Sequence, residues 1–209
     1  MNEIVAVIKF IQMENNLTLS NYTFEENKKA QEPLLWIGLV SIIMFFAGLT
    51  SAVIVSSTSS AWKVFDLPIT FWYSSVAIIL SSISFQLGYI AIKKENIKLP
   101  KLFFITTLIF GFLFIYFQYI GLSSLYEQGI YATGAKSTQS SSFFYVLTVL
   151  HIVHLFFGVL SLGFVTIKSM MNKYNNTNYS GIKLSLTYWH FLGILWLYLF
   201  MFLSIMMSK

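Results

Sequence analysis

The sequence has no cysteine and no arginine, and only 10% of its 209 residues are charged. Without cysteine there is no disulfide, no thiolate metal site and no cysteine nucleophile. Average soluble domains carry about 25% charged residues, so charge this sparse excludes an ordinary water-soluble globule. No Walker-type phosphate loop, nucleophile elbow or dinucleotide fingerprint occurs. All 21 charges, 13 lysines and 8 acids, fall outside five apolar runs: Leu34–Val55, Ile69–Ile92, Leu102–Tyr126, Phe143–Ile167 and Leu184–Met207. These hold 22, 24, 25, 25 and 24 residues. About 20 helical residues cross the roughly 30 Å of bilayer hydrocarbon, so each run is long enough to span. The composition predicts an all-α, polytopic membrane protein with five transmembrane helices in a bundle. Residues 34–209 form the membrane domain and residues 1–33 a separate N-terminal segment, and no room is left for a soluble domain.

The spans, about 34–55, 69–92, 102–126, 143–167 and 184–207, place the N-terminal segment, the 93–101 loop and the 168–183 loop on one side. That side carries ten lysines and the other three. Cytoplasmic loops are the lysine-rich ones, which puts the N-terminus in the cytoplasm and the C-terminus outside. Because the lysines lie in short loops, where charge sets topology, the net charge of +5 does not point to nucleic acid. Met1–Glu3 lacks a positive start and Lys9 interrupts Ile4–Ile11, so no signal peptide is evident. Ile4, Ile8 and Ile11 share one helical face, which fits a surface helix or a frayed tail equally. Asn15–Glu32 is a polar, solvated lead-in.

Lipid tails are as apolar as leucine, so helices associate in a membrane through small residues and hydrogen bonds. Four spans carry such stripes at alternating three- and four-residue spacing. They run through Gly38, Ser41, Phe45, Gly48 and Ala52; through Ser75, Ser82, Gln86 and Tyr89; through Thr107, Gly111, Phe114, Gln118 and Gly121; and through Leu147, His151, His154, Gly158 and Ser161. Gly48, Gly111 and Gly158 are therefore expected at helix-packing positions. No Asp, Glu or Lys lies in any span, although membrane enzymes and pumps usually place ionisable groups there. His151, His154, His190 and Gln118 are the remaining candidates. His151 and His154 sit on one face, which fits inter-helix or lipid-headgroup contacts or, with His190, a haem or metal site. A metal site would need further ligands, and no carboxylate is available. Tyr188, Trp189 and Trp196 are expected as interface anchors. The Tyr126–Ser142 loop, with Gly129, Gly134 and Ser140–Ser142, fits an ordered or a mobile segment equally.

Ser141-Ser142-Phe143-Phe144 and Thr148, followed by His151-Ile152-Val153-His154 and Gly158, resemble the serine–phenylalanine, threonine, HxxH, glycine helix of the cytochrome c oxidase subunit III family. Tyr188-Trp189-His190-Phe191 with Trp196 resembles that family's closing span. Gly111, Phe114 and Gln118 fit its middle helix, and Ser41 with Met44–Leu49 fits an earlier one. The resemblance runs in order from about Leu34 to Met207.

It implies a short, five-helix bacterial form with a lipid-binding cleft. It also implies an accessory subunit of a haem-copper oxidase, without catalytic groups, haem or copper of its own. Haem and copper would lie in partner subunits, and phospholipid would be bound. Oxidase subunit I would be the direct partner, with subunit II in the same complex and a respiratory supercomplex around it. The location would be the bacterial cytoplasmic (inner) membrane, with the C-terminus periplasmic. The complex would pass electrons from cytochrome c to oxygen. A quinol oxidase uses the same type of subunit, and a bis-histidine haem anchor is a more distant alternative. Two positions depart from the family: Ile42 stands where a glutamate is usual, and Gly193 where an aspartate is usual.

Overall fold

In the computed structural model the described residues are 2–94, 98–134, 137–171 and 180–207, with side chains described for all but 2–12, 15–29 and 180. They form five α-helices: α1 (Asn2–Ser56), α2 (Thr70–Lys93), α3 (Leu99–Glu127), α4 (Gln139–Met170) and α5 (Ser180–Met207). There is no strand among the described residues. Ala30–Ser56 of α1, Thr70–Lys93, Leu99–Glu127, Gln139–Met170 and Gly181–Met207 are each long and apolar enough to cross a membrane. Helices satisfy their own backbone, as a lipid environment demands.

The chain divides into two units, Met1–Ser41 and Ile42–Lys209. In the first, α1 is helical from Asn2 onward, through the stretch whose composition suggested a polar lead-in. Neither glycine nor proline occurs before Pro33 to interrupt it. The face shared by Ile4, Ile8 and Ile11 lies outside the residues with described side chains.

The second unit holds the core. The tightest seam joins α2 to α3. Ser74, Ala77, Ser81, Ser84, Gly88 and Ala91 recur at alternating three- and four-residue spacing along α2, and all are buried. Small side chains let two backbones approach closely. A Cβ at Gly88 would stand 2.6 Å from Cε1 of Phe104 and 3.1 Å from Cβ of Phe103. At the other end of the seam a Cβ at Gly121 would stand 2.8 Å from Cζ of Phe71. Hydroxyls then cross the gap. Ser81 Oγ donates to the Thr107 carbonyl at 2.9 Å, and Ser84 Oγ donates to the Phe103 carbonyl at 3.0 Å. This stripe lies one residue away from the expected Ser75, Ser82, Gln86 and Tyr89, of which Gln86 is exposed.

On α3 the expected stripe is the buried one: Thr107, Gly111, Phe114, Gln118 and Gly121. On α1 it is not. Phe45, Gly48 and Ala52 are exposed, and a Cβ at Gly48 would meet nothing within 4 Å. Gly48 therefore packs against no other helix among the described residues of this chain, and Phe46 and Val53 fill the core-facing edge of α1, almost fully buried.

The loop after α3 is fastened. Gly129, at φ 79°, takes the left-handed conformation that glycine adopts without steric cost. The Ile130 amide donates to the Leu125 carbonyl and the Gly129 amide to the Tyr126 carbonyl, both at 3.0 Å, closing the last turn of α3. Thr138 and Ser141 form a capping box at the start of α4. Ser141 and Ser142 Oγ each donate at 2.8 Å to the carbonyls of Tyr131 and Ala132, and Ser140 Oγ donates to that of Lys63. The serine triplet thus ties both neighbouring connections to one helix start. Losing a cap typically costs about 1 kcal/mol. A Thr138→Ala change should speed amide hydrogen exchange at Ser141 and Ser142 while leaving the middle of α4 unchanged. The 57–69 connection closes over the end of α5, where the Phe65 amide donates to the Met207 carbonyl at 3.1 Å.

Candidate functional site

The polar residues singled out in the sequence gather around two buried indoles. Trp189 and Trp196 are each 1% exposed. An indole is tolerated in an apolar interior when its N–H finds an acceptor, and serines of α2 supply both. Trp189 Nε1 donates to Ser81 Oγ at 3.2 Å, and Trp196 Nε1 donates to Ser75 Oγ at 3.1 Å. Because Ser81 passes its own proton to the Thr107 carbonyl, one hydroxyl links α5, α2 and α3. The expectation that these tryptophans are interface anchors is corrected: both lie inside the bundle. Tyr188, half-buried, donates from its hydroxyl to the His154 carbonyl at 3.1 Å and joins α5 to α4.

Two of the expected packing glycines lie beneath Trp189. A Cβ at Gly111 would stand 3.1 Å from Cη2 of that indole, and one at Gly158 would stand 2.6 Å from Cδ1 of Leu192. Gly111 on α3 and Gly158 on α4 therefore make room for α5.

Gln118 is buried; its Nε2 donates to Ser74 Oγ at 3.0 Å, and Ser74 donates onward to the Phe71 carbonyl. His151 is fully buried, its ring centroid 5.3 Å from that of Trp196 and 6.3 Å from that of Phe114. Neither of its nitrogens has a hydrogen-bond partner among the described residues. His154 faces the other way. Its Nδ1 lies 2.7 Å from the Leu150 carbonyl, to which it donates, and its ring meets Phe46 of α1 at 5.7 Å. His190 Nε2 donates to Gln86 Oε1 at 3.2 Å, linking α5 to α2 on an outer face.

The three histidines thus serve three different neighbours. No group of three His, Cys, Asp or Glu side chains suited to a metal ion exists among the described residues. Beside His190 a half-open apolar groove runs between α2 and α5, lined by Ile78, Ile79, Ile83, Ile194 and Leu197, with Ser82 and Gly193 at its floor. A Cβ at Gly193 would stand 3.3 Å from Ser82 Oγ. Ile42, at the other departing position, packs against the core. Sequence patterns missed Ser74, Ser81 and Ser84; the unbroken small-residue spacing from Ser74 to Ala91 is the signal that marks them.

Comparison with known proteins places this bundle in a family. The sequence matches the family described as cytochrome c oxidase subunit III over residues 7–208. The chain belongs to the cytochrome c oxidase subunit III family. One relative, cytochrome c oxidase subunit 3 of Thermostichus vulcanus, is 27% identical over 82% of this chain and 85% of its own length. Another, cytochrome bo(3) ubiquinol oxidase subunit 3 of Buchnera aphidicola, is 30% identical over 92% of this chain and 96% of its own. A probable quinol oxidase subunit 3 of Staphylococcus saprophyticus is 25% identical over 66% of this chain and 67% of its own. The subunit III family thus includes both donor types, and its members are components of haem-copper oxidases in respiratory membranes. As a subunit III chain with five apolar helices, this is a multi-pass bacterial membrane protein.

Proposed function

We propose that this chain is the non-catalytic subunit III of a respiratory oxidase, which stabilises subunit I and holds phospholipid while the complex passes electrons from cytochrome c to oxygen. One observation carries the reading. The five spans contain no carboxylate and no lysine, and the buried polar groups at their centre are mostly spent on joining helices. This fits a subunit whose haem and copper are held by the partner subunits I and II.

The half-open groove beside His190 suits an acyl chain, and Gly193 leaves it open where an aspartate would fill it. His190, which lines this groove, is proposed as a lipid or inter-helix contact, and His151, His154 and Gln118 as inter-helix contacts. The lysine bias supports a cytoplasmic N-terminal segment over residues 1–33 and a periplasmic C-terminus. A quinol oxidase is the second reading, favoured by the Buchnera relative's coverage of this chain. A dinuclear copper motif in the accompanying subunit II decides between the two.

Purification through a tag on this chain in mild detergent should recover a haem-copper subunit I. Recovery without it would refute the assignment, and a stoichiometric Soret band from the isolated chain would favour a haem anchor instead. Deleting the chain should leave initial oxygen reduction intact and shorten the enzyme's active lifetime. Immediate loss of activity in a fully assembled remainder would count against a supporting role.

A further inference from the structure

Three tyrosines inside the spans are tied to another part of the chain. Tyr145 donates from its hydroxyl to the Ile130 carbonyl at 3.0 Å, Tyr188 to the His154 carbonyl at 3.1 Å, and Tyr198 to Thr50 Oγ1 at 3.3 Å. Each of these joins two parts of the chain. Tyr116 and Tyr119 of α3 do not: they are 59% and 70% exposed, and neither makes a hydrogen bond to any described residue. The Tyr116 ring meets that of Phe117, 6.0 Å between centroids.

Depth makes this unusual. The apolar run of α3 is centred on Phe114, so at 1.5 Å per residue Tyr116 lies about 3 Å and Tyr119 about 8 Å from the middle of the hydrocarbon. Helical side chains lean toward the N-terminal end of their helix, and for both residues that direction leads back across the middle. Belt tyrosines hold their hydroxyls at the headgroups; these two cannot reach them. A hydroxyl in lipid has no acceptor to replace water.

Both residues belong to one outward seam. Leu102, Ile105, Ile109, Phe112, Tyr116 and Tyr119 follow alternating three- and four-residue steps, and every one is exposed. This is the spacing with which one helix packs along another in a membrane.

We infer that this face of α3 is covered by a transmembrane helix of another oxidase subunit, which offers hydrogen-bond acceptors at the depth of Tyr116 and Tyr119. The inference rests on the oxidase assignment above. The occupant is a helix because an acyl chain has no acceptor and a headgroup does not reach mid-bilayer. The contact attaches this chain to its complex in a way opposite in kind to the internal serine seams: it pairs phenols with a foreign backbone or side chain.

The test uses the whole complex in its own membrane. A photoreactive benzoyl-phenylalanine is placed at Phe112, on the seam, and at Phe164, on the exposed face of α4. Irradiation should join the chain at position 112 to another oxidase subunit, and at position 164 to that subunit far less or not at all. Lipid adducts alone at position 112, with subunit I still co-purifying, would overturn the inference and leave the oxidase assignment standing. So would a crosslink to a second copy of this chain. Absence of subunit I from the purified material would overturn the assignment, and the inference with it. As a second measure, the double change Tyr116→Phe with Tyr119→Phe keeps both rings and removes both donors. It should cut retention of this chain on the complex about fivefold in detergent washes, as expected for two inter-helix hydrogen bonds. Unchanged retention would count against the pairing.

Discussion

Replacing Gly88 with valine should separate α2 from α3. Even the Cβ would stand 2.6 Å from a Phe104 ring that is wholly buried and 3.1 Å from the stiff Cβ of Phe103. No flexible chain end is there to yield, so the helices must move apart. Moving apart lengthens the Ser81 and Ser84 bonds to α3 carbonyls at the same time. Overpacking a tight interface costs about 1–3 kcal/mol, occasionally more, and the lost hydroxyl bonds put this case at the upper end. The thermal midpoint of the purified complex, followed by release of this chain, should fall sharply. Gly163→Ala on α4 is the control, since a Cβ there meets nothing within 4 Å. Equal midpoints for the two variants would show that the α2–α3 seam is not under close contact.

Trp196→Ala should have an effect of similar size by the opposite route. The indole packs against Phe114 at 5.4 Å, His151 at 5.3 Å, Phe71 at 6.2 Å and Phe200 at 6.1 Å between ring centroids. Truncation leaves a cavity among four rings. In water-soluble cores such changes cost about 3–5 kcal/mol, part of it lost transfer from water. Between helices already in lipid that part is missing, while the cavity and the lost dispersion contacts remain, so about 3 kcal/mol is expected. Trp196→Phe keeps a ring and most of the packing; it loses the bond to Ser75 Oγ, worth about 1 kcal/mol, and a smaller packed volume than alanine does. Measured side by side, alanine should be clearly the worse. If phenylalanine proves equally damaging, the hydrogen bond and not the packing holds α5 in place.

The five spans were legible because charge is expelled from every one of them. The packing faces were legible only where a single stripe of small residues exists. On α3 the stripe from Thr107 to Gly121 has no competitor and is the buried one. On α2, serines occupy two adjacent stripes, through Ser74 and Ser81 and through Ser75 and Ser82. The winner is the stripe kept small at every step to Ala91, because closeness of backbones is decided by the largest side chain in the seam. On α1, Gly48 and Ala52 gave a plausible stripe, but core contact is made by the large side chains Phe46 and Val53.

Trp189 and Trp196 were misplaced because an indole suits both a headgroup belt and a buried pocket with an acceptor. Nothing on α5 itself says which applies; the deciding atoms, Ser75 and Ser81 Oγ, are on another helix. The family resemblance was carried by ordered motifs, so it survived these local errors. The role of each histidine was not legible, since one faces aromatic rings, one its own helix carbonyl and one a glutamine of α2.

The serine seam between α2 and α3 also bears on how the chain is made. These two helices are consecutive in sequence, and their mutual bonds need nothing synthesised later. They can close as a hairpin while the ribosome is still extending α4. The tryptophans that use Ser75 and Ser81 as acceptors arrive on the last helix. On this order α5 enters as a key into a lock already formed, and a chain truncated before Trp189 would keep its hairpin and lose its closure.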